Sequence, residues 1–386
     1  MTAAEDLAVL RDRASDFVDP CLRLLGDLVT AESPSAVPDR NLRVAAGLRV
    51  EFERRGASVE RHPAPGYGEH LVARVEGASG AGPPLLVIGH MDTVYEVGTL
   101  ARVPFAIEVA QDRVRGPGAY DMKGGLAVAI TALDLLFLGG HRPAGDLLFL
   151  ITCDEELGSP TSRELIEEHA RCARGALVLE PSVSGGAAKT RRKGMGRFRV
   201  SVRGRPAHTG VNPEAGASAI HELIRILEDI RLLGDSNKGT TLNVGVIQGG
   251  TRTNVVAEHA QADVDLRFWA AAEADRVERA VRSVRVSDPR CAISVEGGVN
   301  RGALEVTEAS AALFARARAV AAAQGWDLAE GSTGGVSDGN LASAVGCPTL
   351  DGLGPDGGGA HSLDEHVRLS DIAPRIALLA GIFLRF

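Results

Sequence analysis

The sequence predicts an α/β protein: a mixed, mostly parallel sheet with helices on both faces, interrupted by an inserted α+β domain. Short runs that are almost wholly apolar, LVARVE at 71–76, LLVIG at 85–89, DLLFLIT at 146–152 and ALVL at 176–179, are interleaved with longer segments of helical periodicity. Strands that are apolar throughout are buried on both faces, as in a parallel sheet between helical layers. Near residue 190 the texture changes to alternating strands, beginning with RFRVSVRG at 197–204.

Taken in order, helical periodicity covers 5–30, where Leu7, Leu10, Phe17, Leu22 and Leu25 recur at three- to four-residue steps, and then 41–55. A further helix is expected at 123–138, between the second and third strands. In the insert the pattern reads helix 215–233, strands 241–247 and 258–268, helix 271–285 and a strand at 291–296. Helical segments at 307–324 and 370–384 then return to pack on the first sheet. The expected division is 1–188 and 298–386 for the main domain and 189–297 for the insert.

Bulk composition narrows the function. The 50 acidic residues outnumber 42 basic ones, and the basic residues are scattered except at Arg191, Arg192 and Lys193, which argues against a nucleic-acid partner. Five cysteines, an odd number without a CxxC pair, suggest neither a disulfide framework nor a zinc ribbon, and read as reduced, mostly buried thiols. The opening MTAAEDLAVLRDR is acidic and amphipathic rather than leader-like, and no apolar run reaches the length of a membrane span. A cytoplasmic protein that does not engage a membrane is expected.

The chemistry lies after the strands. LLVIG runs into His90, Met91 and Asp92; LLFLIT runs into Cys153, Asp154, Glu155 and Glu156; ALVL runs into Glu180 and Pro181. Ligands bind outside the carboxyl ends of strands in open α/β sheets, so these side chains should converge on one crevice. A turn-rich loop, GPGAYDMKGG, places Asp121 just before a helix, and GGGAHS presents His361 late in the chain. Taken singly, each has an ordinary role: Asp121 as a helix N-cap, the histidines as hydrogen-bonding residues, Glu155 and Glu156 as a solvated turn. Together, His90, Asp121, Glu156, Glu180 and His361 are too many for one tetrahedral ion and suit two zinc ions sharing a bridging carboxylate.

HMDTV, GPGAYDMKGG, DEELGS, EP and AHS, in this order, resemble the co-catalytic zinc peptidases that include bacterial glutamate carboxypeptidase, aminoacylases, succinyl-diaminopimelate desuccinylase and peptidase T. The likeness spans nearly the whole chain, including GRPAHTG in the insert, and is nearest to the glutamate carboxypeptidase type. It implies a zinc-peptidase fold whose insert is a lid and dimerisation domain, a homodimer, and hydrolysis of an amide bond beside a free carboxylate in a small peptide or N-acyl amino acid. It also implies specific roles. His90 and Glu180 would bind one zinc, Glu156 and His361 the other, with Asp121 between them; cobalt or manganese are alternatives. Asp92 would accept the His90 imidazole N–H. Glu155 would be the general base acting on the water between the ions. His208 would steady the oxyanion from across a dimer, and Asn254, Arg267 and the Gly-rich loop around Gly335 would hold the substrate.

The family often has a non-proline cis peptide after the bridging aspartate, so one is expected at Asp121–Met122. Two features depart from relatives: Met122 stands where many carry a polar or acidic residue, and 298–302 lacks an Arg-Pro pair. Lys189–Lys193 (KTRRK) reads as a solvated charged strand or as an attractor for acidic substrates. Ser337 or Asp338 in the 332–340 loop reads equally as a plain helix cap. Deacylation of N-acyl amino acids is the alternative activity. An inactive metal-binding homologue would have lost the base or a ligand, and all are present. A nucleotide enzyme would need a GxGxxG or GxxxxGK[ST] loop, and neither occurs in the expected place.

Overall fold

The structure, a computed structural model, describes residues 3–80 and 82–386. The chain forms two compact units: one comprises residues up to Thr190 with 306–333 and 337–386, the other 191–305 with 334–336.

The first unit is built on a six-stranded sheet in the order Ser58–Ala64, Gly68–Val75, Leu147–Thr152, Leu85–His90, Gly175–Val178 and Thr349–Leu350. Only Gly68–Val75 runs against the rest. Register explains why the central strands carry no alternation in sequence. Val87 lies level with Phe149 and Leu177 and faces one core; Leu86 and Ile88 lie level with Leu148 and Leu150 and face another. Helices Gly124–Leu138 and Leu369–Arg385 cover the first face, and Arg163–Cys172 and Asp338–Ala344 cover the second. The segment expected to return, Glu308–Ala323 with Leu369–Arg385, joins the first core through Leu313, Phe314, Ile376 and Leu379.

Two local readings need correction. The helix expected at 5–30 is broken into Ala3–Arg13, a 3-10 turn at Ala14–Phe17, and Val18–Thr30. Pro20 lacks an N–H and is tolerated only in the first turn, so the helix restarts just before it. Ser58–Ala64, with Pro63 and several charges, escaped notice because it is an edge strand, where proline and charge are at home.

A second, small sheet of the same unit has no clear sequence signature: Gly357–Gly358, His366–Arg368, Arg113–Arg115 and Ala106–Glu108 in that order. Strands of two or three residues carry too few side chains to show a period. This sheet sets the hairpin 357–368 beside the segment leading to Asp121.

The second unit is an antiparallel sheet in the order Thr241–Gly249, His259–Phe268, Gly194–Arg203 and Ala292–Arg301, with helices Ala219–Arg231 and Ala271–Ser283. Phe198, Val200, Val202, Val264 and Leu266 face Ile226, Ile230 and Val277, while the intervening Arg197, Arg199 and Arg203 are exposed. The strand expected to stop at 296 continues to Arg301, because Gly297 and Gly298 lie inside it. At Gly297 φ is +87° and a Cβ would meet the Arg197 carbonyl oxygen at 2.2 Å, so glycine is required there.

Candidate metal centre

Three of the nominated metal ligands lie at or just beyond the carboxyl ends of sheet strands. His90 is the last residue of its strand, Glu155 and Glu156 open the 3-10 turn after Leu147–Thr152, and Glu180 lies just beyond Gly175–Val178. Asp121 lies in the irregular turn Ala119–Lys123, before helix Gly124–Leu138, and the Asp121–Met122 peptide is cis, as the resemblance implies. That helix starts hard against the Glu180 strand: a Cβ on Gly125 would stand 1.9 Å from the Leu179 carbonyl oxygen. The second glycine of DMKGG is therefore a packing requirement. His361 occupies the tip of the 357–368 hairpin with a left-handed φ of +61°.

The five side chains come together around Asp121. His90 Nε2 is 3.2 Å from Asp121 Oδ1 and 3.6 Å from Glu180 Oε1. His361 Nε2 is 3.2 Å from Asp121 Oδ2 and 3.2 Å from Glu156 Oε2. One oxygen of Asp121 thus faces each histidine, and each histidine has a second carboxylate of its own. His90, Asp121 and Glu156 offer atoms that all lie within 4.8 Å of one another. Nitrogen and carboxylate oxygen donors in this number fit zinc or a similar divalent cation.

The electrostatics point the same way. Burial alone would lower the His90 pKa, yet the carboxylates of Asp121, Asp92 and Glu180 raise it well above the usual imidazole value. Hydrogen bonds to Asp121 and Glu156 push His361 up to about 10. Burial opposes ionisation of Asp121, but the two histidines outweigh it and hold its pKa down. Glu156 is pushed up, chiefly by burial. Crowded acids that draw protons onto neighbouring imidazoles mark a place where a cation would be welcome.

Asp92 departs from expectation in one detail. The His90 Nδ1–H donates to the backbone carbonyl of Asp92 at 3.0 Å, and the nearer carboxylate oxygen is 3.5 Å away. That carboxylate is engaged elsewhere: it accepts from Ser35 Oγ at 2.6 Å and from the Glu155 and Glu156 backbone N–H groups at 3.3 and 3.2 Å. It therefore fixes the turn carrying Glu155 and Glu156, while the carbonyl holds the Nδ1–H, so that Nε2 is the nitrogen turned towards Asp121 and Glu180 and open to a cation once its own proton is displaced.

In the second unit, His208 is exposed and its Nδ1 accepts from the Gly210 N–H at 3.1 Å, which leaves Nε2 to carry the proton. The segment of Asn254 runs alongside it, the Thr209 N–H donating to the Asn254 carbonyl at 3.2 Å. Arg267 is not free: it makes a two-pronged pair with Asp265 at 2.9 and 3.1 Å. The Gly335 carbonyl accepts from Arg192 at 3.3 Å. Arg192 and Lys189 are buried while Arg191 is exposed, so KTRRK is only partly a solvated strand. Ser337 caps helix Asp338–Ala344 within a capping box, and Asp338 is buried against Thr152 and Ser159.

Among the buried charged residues that went unremarked in the sequence, two lie at the Asp121 turn. Lys123 is 1% exposed, donates to the Leu28 carbonyl at 2.9 Å, and is pushed down to about 8 by burial. Glu365 is 1% exposed and accepts backbone N–H groups of the Asp121 turn. Its only sequence signal is a position four residues past His361.

Residues 86–385 match the family described as Peptidase family M20/M25/M40. The chain is 31% identical to carboxypeptidase G2 of Pseudomonas sp. (strain RS-16) over 385 positions, covering 97% of this chain and 91% of that one. It is 30% identical to the succinyl-diaminopimelate desuccinylase of Alkalilimnicola ehrlichii over 323 positions, 79% of this chain and 84% of the other. Among solved structures, the aminopeptidase PepT of Bacillus cereus superposes with a TM-score of 0.78 at 23% identity, covering 95% and 98% of the two chains. A metallo-carboxypeptidase of Sulfolobus solfataricus does so with a TM-score of 0.70 at 16% identity, covering 94% and 98%. Among the described residues, no helix is long and apolar enough to cross a membrane.

Proposed function

The chain belongs to the M20/M25/M40 peptidase family of metal-dependent peptidases and amidohydrolases, and from that premise we propose that it is a carboxypeptidase-type hydrolase cutting an amide bond beside a free carboxylate. The observation that carries this reading is the sharing of Asp121, whose two oxygens each face a different histidine. His90 and Glu180 would hold one divalent cation and His361 and Glu156 the other, zinc foremost, with Asp121 common to both. When bound, such a pair polarises the scissile carbonyl and makes a water molecule acidic enough to react near neutral pH.

This chain's own residues do the rest. Glu155 takes a proton from the attacking water and returns it to the leaving amine. Its turn is held by the Asp92 carboxylate, so its reach is set by the strand end rather than by a loose loop. His208, protonated at Nε2, donates to the oxyanion that forms on the substrate carbonyl, supplied from the partner subunit of a homodimer. Exposed Val246 and Ile247 on the edge strand Thr241–Gly249 support dimerisation through this unit. Arg267, Asn254 and the Gly335 loop hold the substrate carboxylate; Arg267 does so with guanidinium donors that Asp265 leaves over. The protein acts in the cytoplasm.

Deacylation of an N-acyl amino acid is the second reading, favoured by the likeness to desuccinylases. The test is metal-loaded protein assayed against substrates with C-terminal glutamate, aspartate or neutral residues and against their N-acyl counterparts. Release of a C-terminal amino acid supports the first reading. Turnover of N-succinyl or N-acetyl substrates alone supports the second, and no amide hydrolysis by protein shown to hold metal overturns both.

A further inference from the structure

Behind the metal centre lies an acid that no role above uses. The Glu365 carboxylate is 1% exposed, and burying an ionised carboxylate is costly unless hydrogen bonds replace its water. Here both oxygens are fully engaged. Oε1 accepts from the backbone N–H of Tyr120 at 2.8 Å and of Asp121 at 2.9 Å; Oε2 accepts from the Gly118 N–H at 3.1 Å and from the Tyr95 hydroxyl. Three main-chain donors from one turn form a concavity for an anion, and this chain supplies the anion itself.

The donors come from the pieces that bring the centre together. Asp121 is the residue shared by both histidines, and Glu365 holds it by its own amide. Glu365 lies in the hairpin whose tip is His361, and its backbone carbonyl accepts the Gly116 N–H at 3.2 Å. Tyr95 stands five residues past His90, and its hydroxyl also reaches the Ser362 carbonyl at 2.8 Å. The loops bearing His90, Asp121 and His361 thus meet at one carboxylate. We infer that Glu365 is a positioning residue of the metal centre: it locks the Asp121 turn to the His361 hairpin, and thereby sets how tightly and in what geometry the centre holds its cations.

This inference rests on the metal-centre reading above and makes a separate demand. A glutamine in its place would turn one oxygen into a donor facing donors, while an aspartate would keep the charge and withdraw it by one methylene. Loss of such an outer partner typically weakens metal binding by about 10–100-fold. The experiment uses the full chain, stripped and reloaded with cobalt, comparing wild type with Glu365→Gln, Glu365→Asp and Tyr95→Phe. It reads affinity by chelator competition, the visible absorption of the cobalt form, and the circular dichroism of each metal-free protein. Both Glu365 variants should lose about 10–100-fold in affinity with an altered cobalt band, and Tyr95→Phe, which removes one donor of four, should show a smaller but measurable loss of about 3–10-fold, also with an altered band. A role in folding alone would leave the cobalt band unchanged.

Folded Glu365 variants with wild-type affinity and an unchanged band overturn the inference. If they do not fold, Tyr95→Phe decides, and wild-type affinity and band in that variant overturn it equally. Should wild type itself take up no cobalt, the metal-centre reading fails first; should wild type bind and the variants match it, only the role of Glu365 fails.

Discussion

Both units pair acidic side chains with arginines, as Arg61 with Glu69 at 2.6 Å in the first, but only the first also crowds acids around histidines among the described residues. In the second unit acids are matched with arginines: Asp263 with Arg199 at 2.8 Å, Asp265 with Arg267 at 2.9 Å, Glu273 with Arg276 at 2.7 Å. In the first, Asp121, Glu156 and Glu180 gather around two imidazoles, and a further carboxylate, Glu365, is buried behind them. Arginine-matched acids are neutralised within the chain and contribute modestly to stability. Acids that share histidines leave a deficit of positive charge, which a divalent cation would fill. On the proposed reading, the contrast separates the unit that does chemistry from the unit that shapes access and assembly.

The sharpest way to break that contrast is Glu155→Gln. It should lower kcat by about 10²–10⁴-fold while metal content stays at the wild-type level, because it removes a proton carrier and leaves the ligands in place. A variant that keeps most of its rate removes Glu155 from the mechanism. His208→Ala, in the other unit, should reduce kcat by about 10–100-fold without changing metal occupancy, the loss expected for one oxyanion donor or somewhat less. Mixing it with Glu155→Gln should restore part of the activity; mixed dimers that stay inactive argue against supply from the partner subunit.

Arg267→Ala sharpens the comparison further, since it breaks an internal ion pair as well as a proposed substrate contact. KM should rise by about tenfold for substrates with a free carboxylate, in keeping with one lost charge-assisted pair, and little for their amides. Equal losses for both would sink the role. The smallest effect is expected at Glu273, whose pKa its hydrogen bonds with Arg276, Lys238 and Thr240 push down from 4.5 to about 2. A depressed carboxylate stabilises the fold above its unfolded pKa and loses that contribution as the pH falls through its folded one. Glu273→Gln should therefore melt at a lower temperature than wild type at pH 7, with the gap closing between 4.5 and about 2. A gap independent of pH would show that its charge is not what matters.

Much of the molecule was legible because the relevant signals are local. Buried parallel strands are apolar throughout, and the residues just beyond them sit at the sheet's carboxyl edge, so His90, Glu156 and Glu180 could be read from strand ends. The features that escaped notice depend on contacts distant in sequence. Glu365 looks like any acidic residue in a loop until the 113–115 and 366–368 strands pair. Asp92 shows what residue type alone cannot resolve: its backbone carbonyl accepts the His90 Nδ1–H at 3.0 Å, with the carboxylate at 3.5 Å shared with Ser35 and the Glu155–Glu156 turn. Lys189 and Arg192 read as solvated charges, and only burial of the strand between them and their neighbours corrects it.

Zinc titration of the metal-free chain, with stoichiometry read by mass spectrometry of the native protein, addresses the shared centre most directly. Two ions per chain are expected for wild type, with His90→Ala and His361→Ala each retaining the ion held by the opposite set. A wild-type chain that takes up no zinc, or histidine variants that still bind two ions, would contradict the sharing of Asp121 between two cations.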